Sequence, residues 1–334
     1  ADPGPACYGK GGEPTVTDAH LVLGRFPGAG LLGGRMPLDE ARSVEALLGL
    51  GRRLGWDARE VARGILMVVL SQMAGAVRVI SVERGHDPSR FVLVAFGGAG
   101  PMLGCELAEV LGMKWVIVPP CPGAFSALGM VLSERVWDES RALMKELGAE
   151  GVMEAKRVWE KMMSSLPREW REGEAKTAAD LRYRGQGYEL TVPVESSWGP
   201  GQWREAFDQA HLKRFGYALE GEDIEIINLR LRVTLPPPVE VEDIEMVAGV
   251  GTSGTLLEGT VGQDATIDFI REGKEWVEAR AEVLDRRGLK KGDSGEGPAV
   301  ILEEDTTVLV PPGWRYRVDH LGDLLLERME RGRG

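Results

Sequence analysis

The stretch from Phe91 to Pro120 restricts this chain more than any other. Phe91-Val92-Leu93-Val94-Ala95-Phe96 is an unbroken apolar run, and Gly97-Gly98-Ala99-Gly100-Pro101 follows at once. A helical stretch then runs from about Met102 to Leu111, and Trp115-Val116-Ile117-Val118 is closed by Pro119 and Pro120. An apolar run without alternation reads as a central strand covered on both faces. Strand, glycine turn, helix and strand make a βαβ unit, which takes a right-handed crossover. An α/β layer is therefore expected here.

Other segments carry their own signals. Asp57 with Glu60 three residues on, flanked by Trp56 and Val61, has the pattern of a capping box with a hydrophobic staple. Val61, Ile65, Val68, Val69, Gln72, Met73, Ala76 and Ile80 follow at helical spacing, and Gly85 stands before His86-Asp87-Pro88 as a stop. This predicts a long, mostly buried helix. Beyond about residue 150 an amphipathic helix gives way to alternation: Tyr188, Leu190 and Val192 on one strand, and Ile227, Leu229, Leu231 and Val233 on another, with Asn228, Arg230 and Arg232 facing the other way. Half-exposed antiparallel strands are expected. Between them Trp203, Phe207 and Phe215 share one face of a helix, opposite Arg204, Asp208 and Lys213. Pro236-Pro237-Pro238 marks a linker that the Gly-rich sequence around 249 to 262 extends. A last β-rich unit has Trp314, Tyr316 and Val318 alternating after Pro311-Pro312-Gly313, and a final strand from Leu324 to Leu326 after Gly322. The expected division is 1–147, 148–238 and 239–334.

Charge and composition exclude several functions. The net charge of -12, with Lys and Arg scattered among more numerous acids, leaves no basic stripe to neutralise a phosphate backbone, which argues against nucleic acid. The uninterrupted apolar stretch Ile65 to Leu70 is too short to cross a bilayer, and no charged leader precedes an apolar core, so a cytoplasmic location without a membrane is expected. Three cysteines, Cys7, Cys105 and Cys121, at irregular spacing disfavour a disulfide framework or a zinc ribbon. Asn228 is the sole asparagine and glutamine is scarce, a depletion of heat-labile amides that leans towards a thermophilic source. The opening Ala1-Asp2-Pro3-Gly4-Pro5 reads as a turn or linker, with further sequence expected before it.

Chemistry is best supported at the glycine run. Glycines between a buried strand and a helix let a ligand approach the backbone and face the helix N-terminus, which suits a nucleotide, while the plain alternative is that they merely permit tight strand-to-helix packing. Gly98, Gly100 and Gly104 do not have the dinucleotide spacing, no acidic residue ends the next strand, and no Gly-Lys-Ser/Thr occurs, so neither a Rossmann NAD site nor a Walker A loop is present. Cys7, in the exposed-looking turn Gly4-Pro5-Ala6-Cys7-Tyr8-Gly9, is a candidate thiolate nucleophile or a small buried filler. Cys105 reads as core. Asp18 and His20 are candidate catalytic residues, with a structural Asp in a turn as the alternative, and no spacing of Cys or His supports a metal site. His86 reads as a helix end, and Tyr183 to Tyr188 as a hairpin in which Arg184 and Gln186 serve an interface or a substrate.

Several of these segments together resemble one family. Gly4-Pro5-Ala6-Cys7-Tyr8-Gly9, Pro14-Thr15-Val16-Thr17-Asp18-Ala19 and Leu21-Val22-Leu23-Gly24-Arg25 look like a signature of hydantoinase A and 5-oxoprolinase subunits. Ser81 to Pro88, the Ala95 to Pro101 loop, Val118-Pro119-Pro120, Ser126-Ala127-Leu128-Gly129, Tyr183 to Gln186, Gly297 to Val300 and Val310 to Trp314 continue the similarity in order, over nearly the whole chain.

The resemblance implies half of an actin-like, ribonuclease-H-like ATPase core followed by α+β and β-rich C-terminal domains. It implies ATP and Mg²⁺ as cofactors, a small cyclic amide as substrate and a hydantoinase B-type subunit as partner. ATP would activate the ring carbonyl for hydrolysis, and Gly97, Gly98, Ala99 and Gly100 would bind the nucleotide. The phosphate loop and the Asp for the metal would lie in a preceding half, so the present chain alone would be inactive. Where many members have Pro-Leu-His-Ala after the glycine loop, this chain has Pro101-Met102-Leu103-Gly104. The alternatives are a non-catalytic nucleotide-binding or scaffold subunit, a subunit of a related acetone or acetophenone carboxylase, and a thiol hydrolase built on Cys7.

Overall fold

The computed structural model describes residues 2–28, 30–239, 260–271 and 273–329. It divides into two units, one made of 1–129 with 242–334 and the other of 130–241. The first unit begins with α1 (Val16–Val22), the short antiparallel pair β1 (Gly30–Leu31) and β2 (Met36–Pro37), and the helices α2 (Glu40–Leu54) and α3 (Ala58–Ile80). The capping box of α3 forms as its sequence predicts: the Asp57 carboxylate accepts from Glu60 N at 2.8 Å, and Asp57 N donates to Glu60 Oε2 at 2.8 Å.

α3 departs from expectation in two ways. It ends at Ile80, ahead of Gly85, because Ser81 to Arg84 close a tight turn instead of a further helical turn. It is also buried along one stripe only, at Val61, Ala62, Leu66, Leu70 and Ala74, while Val68, Val79 and Ile80 are exposed. By length and composition the segment 58–84 is apolar enough to cross a bilayer, with 17% of its most apolar window buried. An uninterrupted-run criterion misses this because Gly64, Gln72 and Gly75 break the run without ending the helix.

The predicted βαβ unit forms as β3 (Leu93–Val94), α4 (Gly100–Leu111) and β4 (Trp115–Val118), with β3 and β4 parallel. However, β3 is short and lies at the edge of its sheet, and Phe91, Val92, Val94 and Phe96 are exposed rather than covered on both faces. The cause is topological: among the described residues β3 is paired on one side, to β4 alone.

After α5 (Phe125–Val131) the chain enters the second unit, a four-stranded sheet from β5 (Arg135–Glu146), β6 (Glu174–Tyr183), β7 (Leu190–Pro193) and β8 (Ile224–Leu235), with α6 (Ala149–Ser165) and α7 (Pro200–Phe215) packed on it. All its pairings are antiparallel, in the order β5-β8-β6-β7. The alternation in β8 holds for Leu229, Leu231 and Val233, which are buried, but Ile227 falls out of phase. The register slips there, since Asp180 pairs with Asn228 while Leu181 pairs with Ile226, so Ile227 is the extra residue of a β-bulge. On α7 the buried face is Trp203, Phe207 and His211, and Phe215 is partly exposed at its end.

Residues 240–259, which include most of the expected Gly-rich linker, lie outside the described residues. Beyond them come β9 (Asp264–Arg271), β10 (Glu275–Asp285), β11 (Ser294–Glu296), β12 (Ala299–Leu302), β13 (Thr307–Val310), β14 (Trp314–Val318) and β15 (Leu324–Arg328). They form a sheet of order β13-β12-β10-β9 and complete a second of order β11-β14-β15-β4-β3. The pairing of β15 with β4, from Leu324 opposite Val118 to Glu327 opposite Trp115, ties the C-terminal strands to the βαβ unit. For this reason the last segment is not the separate domain that the sequence division expects. One core joins Leu47, Leu66, Leu103 and Val116 to Ile301, Val308, Trp314 and Leu326.

Candidate functional site

α1 is a helix of only two turns, held by one carboxylate. Asp18, at its third position and fully buried, accepts from Ala6 N at 3.1 Å, Cys7 N at 2.8 Å, Thr15 N at 2.8 Å, Thr15 Oγ1 at 2.8 Å and Ser43 Oγ at 2.6 Å. Burial alone would raise its pKa, but the bonds from Ser43, Cys7 and Thr15 outweigh it and hold the carboxyl below its ordinary value. With its oxygens occupied in this way, Asp18 fastens the Ala6–Tyr8 turn and α2 to α1.

Cys7 lies in that turn and is buried, not exposed. Burial, then the bond and charge of Asp18, push its thiol up to about 12, which leaves no thiolate near neutral pH. Cys105 is buried on α4, and burial raises its thiol well above the ordinary value. Leu103, which follows the glycine loop where the resemblance implies a histidine, packs in the core.

His20 is two residues from Asp18 and faces a different environment. It is buried, and neither Nδ1 nor Nε2 has a hydrogen-bond partner. Burial and then the Arg25 charge hold its pKa well below the usual value, so the ring is neutral. His20 lines a cavity of about 440 Å³ together with Gly98 and Ala99 of the glycine loop, and with Glu303 to Thr307 of the turn between β12 and β13. The structure thus brings His20 and the glycine loop to one cavity, and Asp18 supports the helix behind it.

The glycine loop is fixed from two sides. Gly97 N donates to Pro122 O at 2.7 Å, and the Thr306 hydroxyl reaches the carbonyls of Gly97 at 3.3 Å and Gly98 at 2.9 Å. Gly97 has φ +80°, a conformation that glycine adopts without strain, and a Cβ built there would meet nothing within 4 Å. Gly104 is the packing glycine: a Cβ there would sit 3.1 Å from Ala95 Cβ and 3.2 Å from a Val116 methyl. Gly97 thus serves the turn, and Gly104 the packing of the helix on the strands.

Glu303 is the group that sequence reasoning missed. Its N donates to Thr306 O at 3.0 Å, and its buried Oε1 accepts no hydrogen bond but is ion-paired with Arg286 Nε at 3.8 Å. Burial, with smaller contributions from Asp305 and Asp285, raises its carboxyl to about 7 against the opposing pull of Arg286. The signal in the sequence was an acidic run, Glu303-Glu304-Asp305, which alone reads as a solvated turn. Among the described residues no group of three or more His, Cys, Asp or Glu could hold a metal ion.

The remaining candidates have structural partners. Arg184 is paired with Glu146 and Asp223, each at 2.8 Å, and Gln186 joins Tyr183 N at 3.1 Å and the His211 ring at 3.2 Å. His86 follows the turn after α3 and packs edge-on to Phe91.

Residues 1–139 match the sequence profile described as hydantoinase/oxoprolinase. Over 338 residues the chain is 34% identical to an uncharacterised protein of Methanocaldococcus jannaschii, covering 98% of this chain and 47% of that protein. It is 32% identical over 341 residues to the caprolactamase subunit alpha of Pseudomonas jessenii, covering 96% of this chain and 47% of the relative. The crystal structure of the ATP-dependent caprolactamase from Pseudomonas jessenii superposes with a TM-score of 0.67 at 30% identity, over 98% of this chain and 49% of that one. The chain thus spans about half the length of these relatives. Profile, relatives and fold agree with the segments singled out from Gly4 to Trp314: the chain belongs to the hydantoinase/oxoprolinase family.

Proposed function

We propose that this chain is part of a cytoplasmic, ATP-dependent enzyme that opens small cyclic amides, acting with a hydantoinase B-type subunit. The observation that carries the reading is the similarity to caprolactamase, which extends over nearly the whole chain. In this reading the first unit contributes one lobe of an actin-like core. Gly97, Gly98, Ala99 and Gly100 lie against the nucleoside, where the space beside Gly97 and the N-terminus of α4 suit a ligand close to the backbone. Thr306 holds the loop rigid by fixing the Gly97 and Gly98 carbonyls. Among the described residues no Lys or Arg lines the cavity beside the loop, so in this reading the phosphates and Mg²⁺ are held by residues outside this chain, as the resemblance implies. ATP, when bound, supplies the phosphoryl group that activates the ring carbonyl towards water.

The test is to assemble the complete subunit with its B-type partner and to follow ATP hydrolysis and ring opening of caprolactam, hydantoin and 5-oxoproline together. Coupled turnover of at least one ring is expected. ATP-independent opening, or none of any ring, overturns the proposal.

A further inference from the structure

Among the described residues the five-stranded sheet β11-β14-β15-β4-β3 is covered on one face only. Leu93, Val116, Leu324, Leu326 and Tyr316 point into the core that α4 shares. Alternate residues point the other way. The register lines them up: Val94 pairs with Ile117, Ile117 with Leu325 and Leu325 with Arg317, one row across four strands. Trp115, Glu327 and Arg315 make the neighbouring row. Val94, Trp115, Arg315 and Arg317 are exposed, Ile117 and Leu325 are half-buried, and a hollow of about 500 Å³ opens over Trp115, Leu325 and Arg317.

Such a face is incomplete by the physics of its strands. Parallel neighbours such as β3 and β4 are joined by crossover helices and are ordinarily covered on both sides, whereas α4 covers one. The open side has two characters. Over β3, β4 and β15 it is apolar, with Val94, Ile117, Trp115 and Leu325, and over β14 it is cationic. Arg317 has no ion pair among the described residues, and Arg315 shares Glu327 with Lys114. Contiguous exposed apolar surface rimmed by charge marks an interaction site, and an unpaired cation at its rim is complemented by a carboxylate on whatever lies there.

We infer that this face receives an amphipathic helix from the part of the complete subunit that lies outside this chain, its apolar stripe against Val94, Ile117 and Leu325 and an acidic flank beside Arg317. The inference rests on the reading of this chain as part of a longer enzyme subunit, and adds to it the surface on which the rest of that subunit docks. This chain spans 47% of the caprolactamase subunit alpha and 49% of the solved caprolactamase chain, so a subunit of that length has about as many residues again to supply the helix. An extended segment would need a free strand edge. The surface here is the face of the sheet, which presents side chains and not backbone groups, and a helix with one apolar stripe matches it.

The experiment is hydroxyl-radical footprinting, read residue by residue by mass spectrometry, on this chain and on the complete subunit without its B-type partner. Trp115 and Leu325 should be labelled in this chain and protected on the order of ten-fold in the complete subunit, as for side chains taken out of water at the centre of an interface. Arg317→Lys puts an amine in the same place, and a carbodiimide, which joins amines to carboxylates, should link it to an Asp or Glu of the other part of the subunit. Because Arg317 is exposed, the melting temperature of this variant should match that of the wild type. Equal labelling of Trp115 and Leu325 in the two samples overturns the inference. Protection that appears only on adding the B-type subunit, or that grows with concentration in this chain alone, overturns it too, because the occupant is then a partner or a second copy. So does a carbodiimide link confined to carboxylates of this chain. Each of these results leaves the proposed function standing if the assembled enzyme still couples ATP hydrolysis to ring opening, whereas protection and link without that coupling would sink the proposed function alone.

Discussion

Arg25 and Glu106, both buried, face each other in a two-pronged ion pair, Nη1 to Oε2 at 2.9 Å and Nη2 to Oε1 at 2.6 Å. The pair is extended by Arg25 Nε donating to Asp268 O at 2.9 Å and by Ile270 N donating to Glu106 Oε1 at 2.6 Å. Arg59 and Arg63 hold the Asp268 carboxylate from α3, at 2.7 Å and 3.0 Å. The family-like segment ending in Gly24-Arg25 therefore has a physical role: it anchors β9, far along the chain, to α4 of the βαβ unit.

Removing one member of a buried pair leaves the other charged and unsolvated, which costs about 3–5 kcal/mol. Arg25→Met should lower the urea midpoint by a corresponding amount, and the double variant Arg25→Met/Glu106→Leu should recover part of it. Recovery would be incomplete because Ile270 N–H loses its acceptor. If the double variant is no more stable than the single one, the pair is not the cause of the loss.

Asp18 is predicted to matter for the fold ahead of the chemistry. Asp18→Ala strips acceptors from Ala6, Cys7, Thr15 and Ser43 and should destabilise by about 3 kcal/mol, on the scale of leaving several buried donors unpaired. The folded carboxyl titrates below its ordinary value, so its contribution is full above the ordinary carboxylate range and is lost as pH falls from that range through the lowered folded value. Asp18→Asn should flatten that part of the acid limb in a plot of stability against pH. An unchanged acid limb would show that the carboxylate is not held as described.

The contrast between Asp18 and Glu303 shows how much of the site could be read without coordinates. Asp18 is singled out by the sequence, as a catalytic candidate or a structural Asp in a turn, and its bonds to Thr15 are local. Phe91 to Val118 likewise declared a strand, a glycine turn, a helix and a strand, which the fold contains. Glu303 acquires its character only when the turn between β12 and β13 folds against a loop about two hundred residues earlier, through Thr306 and Gly98. The exposure of Phe91, Val94 and Phe96 was hidden for the same reason, because strand order is set by long-range pairing that periodicity does not report. Likewise the two-residue alternation of β8 was legible, but the bulge at Ile227 was not, because it depends on the register against β6.

His20 and Glu303 should give the stability profile two opposed slopes. His20 is held neutral in the folded protein, so below its ordinary pKa of 6.5 the unfolded chain takes up a proton that the folded one does not, and stability falls as pH drops. Glu303 has the opposite sign: its folded value of about 7 exceeds the ordinary 4.5, so the folded state keeps a proton the unfolded chain releases, and stability falls as pH rises between them. His20→Leu should therefore raise Tm relative to the wild type at pH 5 more than at pH 7.5. A variant whose offset from the wild type is the same at both pH values would mean that His20 titrates normally in the fold.

The last prediction separates ligand contact from packing in the glycine loop. A Cβ at Gly98 would lie 3.4 Å from Asp305 O, which is ordinary contact, so Gly98→Ala should leave thermal stability nearly unchanged. Gly98→Val adds two methyl groups in a loop that lines the cavity, where the proposed function sets the nucleoside against the backbone. In the assembled enzyme this variant should weaken ATP binding more than it lowers Tm. Had the loop only a packing role, the valine would strain the contact with the Asp305 turn and lower stability whether or not a nucleotide is present. Gly104→Val supplies the calibrating case, since its Cβ already meets Ala95 and Val116 at 3.1 and 3.2 Å and must cost stability through packing. Tm and ATP affinity measured on both variants should therefore move in different proportions: mainly affinity for Gly98→Val, mainly Tm for Gly104→Val. Normal ATP affinity in a destabilised Gly98→Val enzyme would remove the nucleotide from this loop.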